Sequence, residues 1–165
     1  MLFVDMDGTL NYFEKAASLE EITSEGYFFS RSPIMTVVSA IRFLATKNPE
    51  KVCILSSVFQ DNHSIPEKKA WLETYMPEIE KAIFVPYGTP KSEFIEDMLG
   101  RDLNKKDFLL DDFSKNLHEW TGTGIKLYND INGTKGTWTG YSVHYNCSPE
   151  VIANTILGVM TMVAA

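Results

Sequence analysis

Cysteine, histidine, long apolar runs and positive charge are all scarce in this 165-residue chain, and each scarcity excludes something. The two cysteines, Cys53 and Cys147, have no CxxC partner, so neither a disulfide framework nor a thiolate zinc site is expected. The histidines, His63, His118 and His144, show no metal-ligand spacing and receive no role. The most apolar run, Ile156 to Ala165, is too short to span a bilayer, so no membrane partner is expected. Asp5 comes so early that no signal peptide fits before it, and the expected compartment is cytoplasmic. Lys and Arg number 15 against 22 Asp and Glu, a net charge of −7, which disfavours a nucleic acid polymer as partner. An acidic chain that handles an anion needs local positive charge, from lysine or a metal. There is no long repeat; Trp-Thr-Gly at Trp120 and again at Trp138 is a coincidence.

What is present begins at the first residue. Met1 to Val4 is an apolar run of strand type, and it ends in Asp5-Met6-Asp7-Gly8-Thr9. Alternate residues of a strand point the same way, so Asp5 and Asp7 project to one side, and Gly8 lets the chain turn sharply after them. Two carboxylates this close repel. A divalent cation relieves the repulsion and attracts an anionic substrate. An acidic turn after a strand is the plain alternative. Calcium loops share Asp-x-Asp-Gly, but they carry further ligands at alternate positions and a closing Glu.

The rest of the chain alternates helices and strands. Residues 11–32 have no clean period and read as an excursion with one short helix. Ser32-Pro33 opens a helix with Ile34, Val37, Val38, Ile41, Leu44 and Ala45 on one face. Lys51 to Leu55 is a buried strand ending at Ser56-Ser57. Ser64-Ile65-Pro66-Glu67 has the form of a capping box, opening a helix that turns Trp71, Leu72, Tyr75 and Met76 inward. Ala82 to Val85 is a short strand. Thr89-Pro90 opens a helix with Phe94, Ile95, Met98 and Leu99 inward. Phe108 to Leu110 is a strand ending at Asp111-Asp112. Residues 113–120 read as helix, Gly124 to Tyr128 as the last strand, and the Gly/Thr/Asn-rich stretch 129–140 as loop. Ser148-Pro149-Glu150 caps a final helix. Its stripe of Ile152, Ile156, Val159, Met160 and Val163 reads as core packing, with a homodimer contact as the alternative.

This order predicts an α/β fold: a Rossmann-like parallel sheet covered by helices on both faces, as one domain over 1–165 with a small cap insertion at about 11–32. In such sheets the ligand lies beyond the carboxyl ends of the strands. Asp5/Asp7, Ser56/Ser57, Lys91 and Asp111/Asp112 each follow a strand, or the short loop after one, and should converge on one edge.

The four stretches, in this order, resemble the signatures of the haloacid-dehalogenase-like (HAD) phosphohydrolases. The resemblance implies that the Ser56 hydroxyl and nearby backbone N–H groups hold phosphate oxygens, and that a phosphate sits between Lys91 and a metal. It implies Mg²⁺ held by Asp5, the Asp7 backbone carbonyl and Asp112, with Asp111 acting through water. Asp5 is then the nucleophile and Asp7 the general acid and base. Dehalogenases of the superfamily lack the second aspartate, so Asp7 points to phosphoryl transfer. Gly26 to Pro33, Ser56-Ser57, Glu67-Lys68-Lys69-Ala70-Trp71 and Leu109 to Asp112 further resemble the cytosolic type C 5'-nucleotidases, the 5'(3')-deoxyribonucleotidases, in which the lysine matching Lys68 lies near the phosphate. The departures are a shorter stretch for a cap and Thr9 where that family usually has Val.

The expected activity is a Mg²⁺-dependent phosphomonoesterase for (deoxy)ribonucleoside monophosphates, that is, for a small-molecule phosphomonoester. The alternatives are a phosphatase for sugar or other metabolite phosphates and a non-catalytic phosphate-binding regulatory domain. Tyr27, Phe28 and Phe29 can stack on a nucleobase or seal the excursion onto the core; both readings stay open. Arg31 could reach the phosphate or simply lie on the surface. Asn129, Asn132 and Trp138 are candidates for shaping the mouth of the site, though no spacing supports them.

Overall fold

The computed structural model describes residues 1–13, 18–130 and 137–164. Strands β1 (Leu2–Val4), β2 (Val52–Val58), β3 (Ala82–Pro86), β4 (Phe108–Asp111), β5 (Thr123–Tyr128) and β6 (Tyr141–His144) form one sheet in the order β3-β2-β1-β4-β5-β6. Every neighbouring pair is parallel. The helices are α1 (Leu19–Ile22), α2 (Met35–Lys47), α3 (Ser64–Tyr75), α4 (Lys91–Leu99), α5 (Ser114–Glu119) and α6 (Pro149–Ala164). This is the Rossmann-like α/β arrangement that the alternation of periods predicts. Among the described residues no helix is long and apolar enough to cross a membrane. Asn132 lies outside the described residues, as does Glu14 of the excursion.

Strand alternation sorts the core into two layers. Leu2, Val4, Val52, Ile54, Phe108 and Leu110 pack with Val38 and Ile41 of α2, Trp71 of α3 and Ile152 and Ile156 of α6. Phe3, Cys53, Leu55 and Leu109 face the other way, against Ile95 of α4 and Leu117 of α5. Each fully buried large apolar side chain contributes about 1.5–3 kcal/mol relative to exposure. The same alternation decides where the polar residues beyond the apolar runs go. Asp5 and Asp111 continue the face toward α4, whereas Ser56 continues the face toward α3.

The chain steps from β1 out to β3 and returns with β4 on the other side of β1. The order therefore reverses between β1 and β4, and the crevice at such a point is where ligands bind in open parallel sheets. The excursion after β1 is closed at its base: Tyr12 N–H donates to Ser32 O at 2.9 Å and Ile34 N–H to Leu10 O at 2.8 Å.

The structure departs from the sequence reading at three places. The sheet does not end at Tyr128: β6 adds an edge strand in which only Val143 is buried. A four-residue, half-exposed edge strand beside a Gly/Thr/Asn-rich stretch carries little periodic signal. On α4, Met98 and Leu99 are exposed rather than inward. Lys91, Ser92 and Ile95 take the buried stripe instead, and Gly100 ends the helix in a left-handed conformation, φ 63°. The capping box is not formed. The Ser64 hydroxyl donates to Asp61, whose Oδ1 accepts the N–H of His63 and Ser64 at 2.7 and 2.6 Å. Asp61 thus does the capping, and Glu67 is released for another task.

Candidate active site

The acids meet at the β1/β4 crevice. Asp5 follows β1, and its N–H donates to Leu110 O at 2.9 Å, which extends the pairing with β4 to the first carboxylate. Carboxylate oxygens of Asp5, Asp111 and Asp112 all lie within 4.8 Å of one another, and all three residues are buried. Lys91, in the first turn of α4, inserts its ammonium between two of them, 2.5 Å from Asp5 Oδ1 and 2.8 Å from Asp111 Oδ2. Burial drives the Asp5 carboxyl well above the ordinary carboxylate range; Lys91 pulls against that rise, and Asp111 and Asp112 add to it. Burial alone would push the Lys91 ammonium down, but Asp111 and Asp5 outweigh it and hold it above the ordinary lysine value. Lys126 of β5 also attracts Asp112 and Asp111.

Gly8 makes the close approach feasible. It has φ +83°, and a Cβ there would stand 2.5 Å from Asp112 Oδ2. The Thr9 hydroxyl accepts the Asp112 N–H at 3.1 Å. The two ends of the motif, about a hundred positions apart in sequence, therefore interlock through the smallest side chain and a hydroxyl.

Asp7 is held separately. Its carboxylate forms an ion pair with Lys68 and accepts from Asn11 Nδ2 at 3.2 Å. It is not part of the group formed by Asp5, Asp111 and Asp112. Lys68 is fully buried and also donates to Ser56 Oγ at 2.8 Å and Ser57 O at 2.7 Å. Its Nζ lies 4.4 Å from the centre of the Phe28 ring, a cation–π contact. The neighbouring residues on α3 fasten the excursion. Glu67 accepts the N–H of Gly26, Phe28 and Phe29 at 2.5, 2.9 and 3.3 Å, and Trp71 Nε1 donates to Arg31 O at 2.7 Å. Glu67-Lys68-x-x-Trp71 thus ties the aromatic segment to the acid at the end of β1. Arg31 serves the same segment: its Nε donates to Tyr27 O at 3.1 Å and its guanidinium stacks 4.3 Å over the Tyr27 ring.

Asp5, Asp7, Ser57, Lys91, Asp111 and Asp112 line a cavity of about 330 Å³, together with Asn116 and five aromatic rings: Phe13, Phe28, Phe59, Tyr87 and Phe113. Ser56 and Lys68 stand just behind Asp7 and Ser57. Asp5, Asp7, Ser57, Lys91, Asp111 and Asp112 converge, whereas Ser56, expected with them, is fully buried and accepts from Lys68 instead of lining the cavity; the cavity has the size of a small-molecule site.

The comparisons with known proteins bear on the same residues. The family model described as 5' nucleotidase, deoxy (pyrimidine), cytosolic type C protein matches residues 11–137. The chain belongs to this family. No curated protein matches. The matched stretch contains Ser56, Lys68, Lys91, Asp111 and Asp112, while Asp5 and Asp7 precede it. As a member of a 5'-nucleotidase family the chain is a phosphoric monoester hydrolase of HAD type, with a small-molecule phosphomonoester as substrate.

Lys126 escaped the sequence reading, and two residues that it named lie elsewhere than expected. Asn129 and Trp138 do not shape the mouth. Asn129 is buried and donates to Asp112, and Trp138 lies over Gly124 and packs against the core layer that holds Leu117. Lys126 of β5 is fully buried, with its ammonium on Asp112 O and, at 2.8 Å, on Ser114 Oγ. Burial holds its pKa below the ordinary lysine value, against the pull of Asp112 and Asp111. A lysine inside the apolar run Gly124 to Tyr128 was a readable signal, as was Asn129 at that strand's carboxyl end. Lys68, Lys91 and Lys126 are the buried lysines among the described residues, and all three stand at this edge.

The donor set fits a hard divalent cation. It is all oxygen, anionic and buried. Asp111 already accepts from Lys91, from Asn116 Nδ2 at 2.9 Å and from Phe113 N–H at 2.8 Å.

Proposed function

We propose that the chain is a Mg²⁺-dependent phosphomonoesterase that works through an aspartyl phosphate on Asp5, with (deoxy)ribonucleoside monophosphates as substrates. The observation that carries the proposal is the meeting of Asp5, Asp7, Lys91, Asp111 and Asp112 in one cavity at the β1/β4 crevice. Asp5 and Asp112 would hold the ion with the Asp7 backbone carbonyl, and Asp111, engaged by three donors, would act through water. When bound, the ion supplies positive charge to the phosphoryl oxygens.

The chain's own groups do the rest. Asp5 Oδ1 accepts from Lys91, so the attack on phosphorus is assigned to Oδ2. The arriving phosphate competes with Asp7 for the Lys68 ammonium, which releases the Asp7 carboxyl to carry a proton to the leaving oxygen. The P–O ester bond breaks as the Asp5–phosphorus bond forms. Water then attacks phosphorus, Asp7 takes its proton, and Asp5 is regenerated as phosphate leaves. The aromatic rings of the cavity suit a flat leaving group, which favours a nucleoside over a sugar. The deoxypyrimidine named in the family description makes deoxypyrimidine monophosphates the first substrates to try. The excursion at about 11–32 serves as the small cap of a single domain.

The test is Mg²⁺-dependent phosphate release from a panel of deoxy- and ribonucleoside monophosphates and sugar phosphates. Hydrolysis of nucleotides, abolished by chelation, is expected. Faster hydrolysis of sugar phosphates would overturn the substrate class; no Mg²⁺-dependent hydrolysis of any monoester would overturn the whole reading.

A further inference from the structure

Asn129 stands just beyond β5 and is 3% exposed. Its Nδ2 donates to Asp112 Oδ2 at 2.8 Å and to the Gly8 carbonyl at 2.7 Å. One carboxamide therefore ties together the ends of three strands: β5, the acid after β4 and the turn after β1. Its neighbours reinforce the placement. Lys126 grips the backbone carbonyl of Asp112, and Thr9 Oγ1 accepts the Asp112 N–H while lying 3.4 Å from Oδ1. The backbone of Asp112 is thus held from two sides. Its carboxylate is held in turn: Asn129 Nδ2 donates to Oδ2 at 2.8 Å, a shorter bond than the 3.4 Å contact of Thr9 Oγ1 with Oδ1.

We propose that Asn129 is a positioning residue for the cation: by holding Asp112 Oδ2 it fixes the Asp112 carboxylate beside those of Asp5 and Asp111, and so sets the affinity of the site. The inference rests on reading the three acids as a Mg²⁺ site. Groups that hold a metal-binding carboxylate from behind typically govern affinity by 10–100-fold. A brace that merely joins strands would change stability and leave the affinity alone, because Lys126 and Thr9 still hold the Asp112 backbone.

The experiment is calorimetric Mg²⁺ titration of the full chain without substrate, for the parent, Asn129→Leu and Asn129→Ser, beside their melting temperatures without metal. Asn129→Leu keeps the branched shape and removes both N–H donors; Asn129→Ser keeps a polar group too short to span Asp112 and Gly8. The expected result is a dissociation constant raised about 10–100-fold in both. The Mg²⁺ concentration for half-maximal rate should move by the same factor, with kcat recovering at saturating Mg²⁺. A folded variant whose dissociation constant stays within about two-fold of the parent's, whatever its melting temperature, overturns the proposal. The parent supplies a second measurement: the side-chain amide resonances of Asn129 should shift on adding Mg²⁺, and their failure to move overturns the proposal even where no variant folds. A parent that binds no Mg²⁺ sinks the metal site itself, and this inference with it. A parent that binds, with variants that bind equally well, sinks only the role of Asn129.

Discussion

Replacing Lys91 by Met gives the sharpest test of the site's electrostatics. Lys91 is 4% exposed, and its ammonium sits 2.5 Å from Asp5 Oδ1 and 2.8 Å from Asp111 Oδ2. Methionine has a similar length and fills the space, but it leaves two buried carboxylates without their cation and a third close by. Removing one partner of a buried ion pair costs about 3–5 kcal/mol. For a chain of this size that corresponds to a melting temperature lower by about 6–20 °C. The loss should depend on pH with a definite sign. The folded-state pKa of Asp5 already lies above its ordinary value, and Lys91 is the group that opposes the rise. Without Lys91 it climbs further. The stability contributed by neutral Asp5 is fully present below the unfolded carboxylate value near 3.9 and is lost as pH rises through the folded value. The deficit of Lys91→Met should therefore be smaller at pH 5 than at pH 8. Mg²⁺ should offset it: an ion at a hundred times its dissociation constant stabilises by about 2.7 kcal/mol. The variant should gain more than the parent, because Lys91 repels the ion. Urea denaturation at pH 5 and pH 8, with and without Mg²⁺, measures all of this. A metal-free variant within about 1 kcal/mol of the parent at pH 8, unmoved by Mg²⁺, would refute the account.

Other outcomes follow from the same geometry. Asp7→Asn should lower alkyl phosphate turnover by about 10²–10⁴-fold and aryl phosphate turnover much less, since an aryloxide leaves without a proton; equal losses would remove Asp7 as the acid. Asp5→Asn should abolish turnover while leaving the fold intact, because Lys91 keeps Asp111 as its partner and the carboxylate removed is one that burial already disfavours; near-full activity would end the covalent scheme. Glu67→Ala frees the N–H groups of Gly26, Phe28 and Phe29, so hydrogen exchange there should accelerate and KM rise; unchanged exchange would show that Glu67 is not the fastening. Burial pushes the Cys53 thiol up to about 11. An alkylating reagent at pH 8 should therefore modify the half-buried Cys147 and spare Cys53 in the folded chain, which mass spectrometry of peptides reads directly.

Much was legible in the sequence, for a definite reason. A buried parallel strand is a short apolar run, and the residue that ends it must face the crevice, so Asp5, Ser56-Ser57 and Asp111-Asp112 could be assigned to one edge from local pattern alone. Lys91 joined them because a helix opened by Thr89-Pro90 must start near that edge. The same local rules failed where a side chain's partner is distant. Ser64 and Glu67 have the spacing of a capping box, yet Asp61 caps the helix and Glu67 reaches back across 41 positions to Gly26. The stripe on α4 was drawn from apolar residues, but the buried positions went to Lys91 and Ser92, because three carboxylates outside the helix supply what a buried cation needs.

The residue types and their order by themselves determined five of the six strands, their direction and the acids and lysine at their ends, since a periodic apolar pattern fixes which way each strand end points. Only the tertiary structure decided which acids share a space and which stand apart: Asp5 with Asp111 and Asp112 around Lys91, and Asp7 with Lys68. It alone brought Lys126 and Asn129 under Asp112. Those partnerships depend on which strands lie side by side, and adjacency across a sheet is set by the packing of the whole chain, which no local stretch of sequence encodes.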